Sequence, residues 1–212
     1  MLAIIDYGMG NLRSVYMAFK RLGVEAVVTS DPDALAQAQA VVLPGVGAFG
    51  DAMGNLRELG LVEPIRELIA ADKPLIGICL GLQLLFESST EMGDYQGLGV
   101  LPGRVRRFPA ELTVPHMGWN QIHQARAIPL WRGLSDHAYA YFVHSYYVEP
   151  DDADVIAATT DYGIDYASVV ARGNLYGIQF HPEKSQAVGE RILRNWLIAC
   201  GLLPRDAVWE AA

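Results

Sequence analysis

Two short runs carry residue types that could do covalent chemistry. In Gly77-Ile78-Cys79-Leu80-Gly81 a cysteine stands between two glycines, and far downstream Phe180-His181-Pro182-Glu183 sets a carboxylate two residues from an imidazole. A thiol that attacks a carbonyl carbon needs a base, and the base needs an acceptor on its other ring nitrogen. Cys79, His181 and Glu183 are therefore the parts of a nucleophilic acyl-transfer site. Residues 73–78 open on Lys73-Pro74 and read as a short buried strand, while 80–87 carry apolar side chains at helical spacing. Cys79 then falls on the turn between them, the cysteine counterpart of a serine elbow, where flanking side chains would collide as the chain doubles back. Such a turn lifts the sulfur into a cleft at a helix N-terminus and leaves the Leu80 amide free to face a developing oxyanion. A packed core cysteine is the competing reading of Cys79 on its own.

Alternation along a strand over 175–180 puts His181 and Glu183 on one face, and Pro182 marks the end of that strand. Singly, His181 reads as a loop histidine and Glu183 as a solvated carboxylate; their conjunction with the cysteine elbow points to a triad. Leu43-Pro44-Gly45-Val46-Gly47 follows another predicted strand, at the carboxyl edge where open α/β proteins place their sites. Glycines on both sides of Val46 permit its peptide plane to flip. A phosphate loop is the rival reading, and the Lys and Ser/Thr spacing of a nucleotide loop is absent. His116, His123 and His137 show no metal-ligand spacing with cysteines or carboxylates, so no metal is expected, and His144 in an aromatic run reads as a core histidine.

At Cys79, His181 and Glu183 the sequence resembles the class I glutamine amidotransferases, whose triad is a cysteine, a histidine and a glutamate in this order. Pro44-Gly45-Val46-Gly47-Ala48-Phe49, His116-Met117-Gly118-Trp119-Asn120 and Pro182-Glu183-Lys184-Ser185 narrow the resemblance to the glutaminase branch of imidazole glycerol phosphate synthase, in histidine biosynthesis. It runs nearly the whole length, with small departures such as Leu82 where methionine is common. The fold it implies is α/β: an open, mainly parallel twisted sheet flanked by helices, with additional antiparallel strands. The activity it implies is hydrolysis of L-glutamine to glutamate and ammonia without a cofactor. Val46 and Leu80 would supply the oxyanion hole, and Gly47, Gln83, Ser145 and Tyr146 would hold glutamine. The resemblance also implies a heterodimer with a (β/α)₈ cyclase. The pair converts a phosphoribulosyl formimino carboxamide nucleotide into imidazole glycerol phosphate and an aminoimidazole carboxamide nucleotide. Asn11, Trp119, Tyr141 and Lys184 are the matched candidates for the docking face. An anthranilate or pyridoxal phosphate pathway glutaminase, a cysteine peptidase of related fold and a binding subunit without turnover are the alternatives. The branch-specific segments speak against the first two, and the intact triad speaks against the third.

The elements that must position these residues follow from composition and order. At 212 residues the chain is read as a single domain, 1–212, and 51% hydrophobic with 19% charged residues suits a sheet buried on both faces. A net charge of -8 argues against a nucleic-acid groove, Arg104-Val105-Arg106-Arg107 being the densest basic patch. Met1 leads straight into an apolar strand without a signal peptide, no run approaches membrane-spanning length, and two cysteines make no disulfide framework, so the cytoplasm is the expected compartment. Cys200 is expected as buried packing. Strands over 2–6, 25–29, 40–43 and 75–79 alternate with helices over 12–22, 50–56 and 62–71, which predicts parallel pairing. After a glycine-rich connector over 97–103, strands are expected over 105–108, 119–124, 139–147, 155–160, 167–172 and 175–180. A closing helix is expected over 185–198, and 202–212 should fray.

Overall fold

Runs such as Leu2-Ala3-Ile4-Ile5 and Ala40-Val41-Val42-Leu43 have no polar face, so the strands they form must be covered on both sides. The computed structural model, which describes residues 1–205, builds them that way. Its first half runs β1 (Leu2–Ile5), α1 (Leu12–Arg21), β2 (Ala26–Thr29), α2 (Pro32–Gln37), β3 (Ala40–Leu43), α3 (Phe49–Glu58), α4 (Val62–Ala70), β4 (Leu75–Ile78) and α5 (Leu80–Leu84). The second half is mostly strand: β5 (Phe86–Ser89), β6 (Tyr95–Gln96), β7 (Leu101–Arg107), β8 (His116–Gln124), β9 (Ala138–His144), β10 (Tyr146–Pro150), β11 (Ile156–Asp161), β12 (Asp165–Arg172) and β13 (Leu175–Ile178). A 3₁₀ turn at Pro182–Lys184 then leads into α6 (Gln186–Ala199).

β2, β1, β3, β4 and β13 pair in parallel, in that order. From β13 the sheet continues antiparallel through β12 and forks there, with β10 and β7 on one arm and β11, β8 and β9 on the other. Period-two alternation sorts the core into two layers. Leu2 and Ile4 face Val15 and Phe19 of α1 and Trp196 of α6, while Ala3 and Ile5 face Leu35 of α2, Leu56 of α3 and Ile65 of α4. The edge-tilted contact of Phe19 with Trp196, centroids 5.9 Å apart, ties the first helix to the last.

Several elements depart from the sequence expectation. The elbow helix stops at Leu84, because the carbonyls of Leu84 and Leu85 accept amides of Leu98, Val100 and Leu101 in place of the next helical turn. The freed chain becomes β5, which pairs with β7, so the expected connector over 97–103 ends in strand. The run expected as one strand over 139–147 breaks at Ser145, since β9 pairs with β8 on one arm and β10 with β7 and β12 on the other. α2 was not anticipated, although Asp31 and Pro32 carry its start signals: the Asp31 side chain accepts from the Asp33 amide and proline takes the first turn. The strand expected over 175–180 ends at Ile178, and a 3₁₀ turn opened by Pro182, not a strand, carries Glu183. Of the expected fraying over 202–212, residues 206–212 lie outside the described residues. No helix among the described residues is long and apolar enough to cross a membrane.

Glycine spacing sets the elbow. A Cβ on Gly77 would lie 2.6 Å from the Gly81 carbonyl oxygen, and one on Gly81 would run into the Leu43 carbonyl at the end of β3. Gly54, inside α3, has open space around it. Gly81→Ala should therefore cost about 1–3 kcal/mol in urea unfolding, whereas Gly54→Ala should stabilise by about 0.5–1 kcal/mol. Equal effects of the two substitutions would contradict the packing described for the elbow.

Candidate active site

β4 delivers Cys79 to the carboxyl edge of the sheet, where its amide still bonds the Ile178 carbonyl at 2.8 Å before the chain turns. Cys79 has φ 55 and ψ -110, a conformation that residues with a Cβ seldom adopt and that packing on all sides must enforce. Its carbonyl accepts the amides of Leu82 and Gln83, so the Leu80 and Gly81 amides lie ahead of the first intrahelical bond. Cys79 is buried, with its side chain on a cavity of about 310 Å³ lined also by Val46, Gly47, Leu80, Gln83, Glu91, Ser145, Tyr146, His181 and Lys184.

His181 reaches the same cavity from the end of β13. Its amide bonds the Tyr141 carbonyl at 2.9 Å, and Ser185 clamps the turn, donating through Oγ to the His181 carbonyl at 2.6 Å and accepting the Tyr141 amide at 2.9 Å. The 3₁₀ turn brings Glu183 back onto the ring, with His181 Nδ1 and Glu183 Oε1 2.8 Å apart. The His181 ring also hydrogen-bonds Cys79, and with Nδ1 engaged by glutamate the nitrogen that serves the sulfur is Nε2. Burial alone would depress the imidazolium; its hydrogen bonds to Cys79 and Glu183, with their charges, outweigh burial and push its pKa up to about 10. Glu183 is itself buried, and its Oε2 has no hydrogen-bond partner among the described residues. The imidazolium is thus the countercharge in contact with this carboxylate.

The loop after β3 packs directly on the elbow. A Cβ on Gly45 would lie 2.9 Å from the Gly81 nitrogen and 2.6 Å from the Tyr7 hydroxyl, which donates to the Pro44 carbonyl at 2.8 Å. Gly47 holds φ 95, in the region that favours glycine, and Val46 between the two is half exposed over the cavity.

The sequence-predicted residues fall in three groups. Cys79, His181, Val46, Gly47, Leu80, Gln83, Ser145, Tyr146 and Lys184 line the cavity, with Glu183 behind His181. Trp119 and Tyr141 lie outside it as an edge-to-face pair with centroids 6.0 Å apart, and Lys184 Nζ sits 6.0 Å from the Tyr141 ring centre. Asn11 is exposed at the start of α1, where its Oδ1 accepts the Ser14 amide. Gln83 is occupied within the protein: its Nε2 donates to the Tyr146 carbonyl at 3.0 Å and to Gln179 Oε1 at 3.2 Å.

Sequence reasoning missed two members. Gln179 is fully buried and donates through Nε2 to Cys79 Sγ at 3.7 Å; the signal was its position two residues before His181. Glu91 projects into the cavity while Oε2 accepts the Phe49 amide at 2.7 Å, and burial holds its pKa above the usual carboxylate range. The β8–β9 hairpin brings His123 and His137 together around Asp136, a proximity that their spacing along the sequence does not reveal.

His144 is the core histidine expected, with the partners to be one. His144 Nδ1 donates to the Tyr146 carbonyl at 2.8 Å, so its Nε2 accepts, facing His116 Nδ1 and the Tyr166 hydroxyl at 3.2 Å each. Burial lowers the pKa of His144 to about 3, the His116 and His181 charges adding to it against the Tyr146 hydrogen bond, and burial lowers His116 to about 4.

A model of the family "Glutamine amidotransferase class-I" matches residues 3–200. The imidazole glycerol phosphate synthase subunit HisH of Syntrophotalea carbinolica is 55% identical over 203 residues, covering 92% of this chain and 98% of that one. The protein of the same name from Moorella thermoacetica is 54% identical over 195 residues, covering 92% and 93%. Among solved structures, PurLQS from Thermotoga maritima is similar in fold with a TM-score of 0.75 at 17% identity, over 93% of this chain and 97% of that chain. A crystal structure described as a glutamine amidotransferase gives 0.74 at 23% identity, over 94% and 98%.

The two depressed histidines set a pH dependence. Unfolded, they bind protons near pH 6.5, whereas folded they stay neutral, so stability is intact above that pH and is lost as pH falls toward about 4. Between pH 7 and pH 5 the loss assigned to His144 is about 1–2 kcal/mol, read as a fall in the urea midpoint. His144→Gln should flatten that slope even where it lowers stability at pH 7, and an unchanged slope would contradict the assignment.

Proposed function

The chain belongs to the class I glutamine amidotransferases, and from that premise we propose that it is the glutaminase subunit of an imidazole glycerol phosphate synthase, hydrolysing L-glutamine through Cys79, His181 and Glu183. The hydrogen-bonded line from Glu183 through His181 to Cys79, ending in the cavity, is the observation that carries the reading. The Cys79 sulfur attacks the side-chain amide carbon of glutamine. His181 Nε2 gives a proton to the departing ammonia and then takes one from the water that cleaves the γ-glutamyl thioester. Glu183 holds the ring in the required tautomer and stabilises the imidazolium, without taking the proton itself.

The oxyanion that forms twice along this path needs two donors. The Leu80 amide is one, and we assign the Val46 amide as the other, supported by the contact of the Gly45 backbone with the elbow and by the conformational freedom of the glycines around Val46. A donor of this kind lowers the barrier by about 3 kcal/mol. A loop that turns this amide away would leave the enzyme slow until something turns it back. The carboxylate of Glu91 suits the α-ammonium of glutamine, while Gly47, Ser145 and Tyr146 border the same space and Gln83 fixes the Tyr146 carbonyl.

Ammonia set free in water would be protonated and lost, so the site gains by discharging into a partner. A (β/α)₈ cyclase is the partner proposed, as the other subunit of the synthase that the relatives' names give. On the outer face of the β8–β9 hairpin Met117 is 62%, Trp119 46% and Tyr139 53% exposed, while the alternate residues His116, Ile122, Ala140 and Phe142 are buried. This apolar and aromatic stripe, continued by Tyr141 and Lys184 beside the cavity, has the composition of a docking surface. Asn11, just ahead of α1, is proposed to belong to the docking face as well.

Cys79→Ala should abolish glutamine-dependent synthesis in the complex with a cyclase, while ammonium salts still support it and the complex forms normally. Glutamine hydrolysis that survives the substitution would end the assignment. Val46→Pro removes the proposed second donor. That variant should bind the cyclase yet lose about a hundredfold or more of the partner-activated glutaminase rate; full activation in an intact complex would move the donor to another amide.

A further inference from the structure

At the end of the β8–β9 hairpin remote from the cavity, two imidazoles converge on one carboxylate oxygen. His123 Nδ1 and His137 Nε2 each lie 3.6 Å from Asp136 Oδ2, the two rings are 3.9 Å apart, and one donor atom from each of the three residues lies within 4.8 Å of the others. Register places this end six residues along each strand from the His116 and His144 pair beside the active site, about 20 Å away at strand rise.

The carboxylate is fixed before any ligand arrives. Asp136 Oδ1 accepts two backbone amides, from Gln124 at 2.8 Å and from His137 at 3.0 Å, which leaves Oδ2 to the two rings. The same amides hold the Asp136 pKa below the ordinary carboxylate range, with the two histidines contributing. His137 holds φ 61, the left-handed region that costs a residue with a Cβ, and its amide also bonds the Ile122 carbonyl at 3.0 Å. Its ring is thereby turned back over the carboxylate of the preceding residue.

We propose that His123, Asp136 and His137 form a binding site for a divalent transition-metal ion of the zinc class, separate from the glutaminase site. Nitrogen and oxygen donors around a tetrahedral ion, each about 2.0–2.1 Å from it, stand roughly 3.3 Å from one another. The two 3.6 Å separations need to close by a few tenths of an ångström, and the two imidazole donors, which lie within 4.8 Å of each other, by up to about 1.5 Å, which rotation of the two half-exposed rings can supply. Water takes the remaining coordination. A bound ion would pin the segment 125–135 between the two strand ends.

Cobalt(II), which reports its coordination by visible absorption, is the probe, titrated into the full chain and into Cys79→Ala to exclude the active-site thiol as a ligand. The expected result is one ion per chain in both, displaced by zinc(II). Binding should weaken tenfold or more in His123→Ala, in His137→Ala and in Asp136→Asn, which keeps an oxygen for the two amides but removes the charge. Circular dichroism checks that each variant is folded. No visible absorption with excess cobalt(II), loss of binding in Cys79→Ala, or affinities unchanged in both histidine variants would each overturn the proposal.

Discussion

The close approach of three backbone segments around Cys79 governs everything else at this site. Gly77 and Gly81 meet across the elbow, Gly81 lies against the Leu43 carbonyl, and Gly45 lies against Leu80, Gly81 and Tyr7. No side chain fits at any of the three positions, and the close packing they permit holds Cys79 at φ 55 at the N-terminus of α5. Such a conformation costs of order 1–3 kcal/mol. It is maintained because β4 is central in the parallel sheet, flanked by β3 and β13, with apolar layers on both faces.

Charge is the second constraint, and it depends on the first. Glu183 is buried with one oxygen unpartnered, which is tolerable while an imidazolium sits 2.8 Å from the other. The sulfur on the far side of the ring raises the same imidazolium further, so sulfur, imidazole and carboxylate form one electrostatic unit. Gln179, donating to the sulfur and accepting from Gln83, extends that unit to the strand carbonyl of Tyr146 at the cavity wall. Glutamine would therefore dock against groups whose positions are already fixed by the residues that attack it.

How much of this could be read from the sequence follows from how local each signal is. The elbow and the His-x-Glu run are short patterns whose spacing carries their geometry, and the parallel half of the sheet follows from apolar runs alternating with amphipathic ones. Strand alternation is nevertheless not what brings the histidine and glutamate together; a 3₁₀ turn does. Features set by pairing between distant segments were illegible: β5 exists because the 98–101 segment captures the carbonyls of Leu84 and Leu85, and the break at Ser145 exists because the sheet forks. Glu91 and Tyr7 reach the site from loops with no motif of their own, and Asp136 meets His123 only because the hairpin closes.

The central claim is that Cys79 is the atom donor to a covalent intermediate while Cys200, pushed up to about 12 by burial, stays inert. Mass spectrometry of the chain treated with an electrophilic glutamine analogue tests it most directly. The account predicts one adduct per chain, on the peptide carrying Cys79, blocked by excess glutamine and lost in His181→Ala. Labelling of Cys200 in its place, or glutamine hydrolysis that continues with Cys79 fully modified, would contradict it.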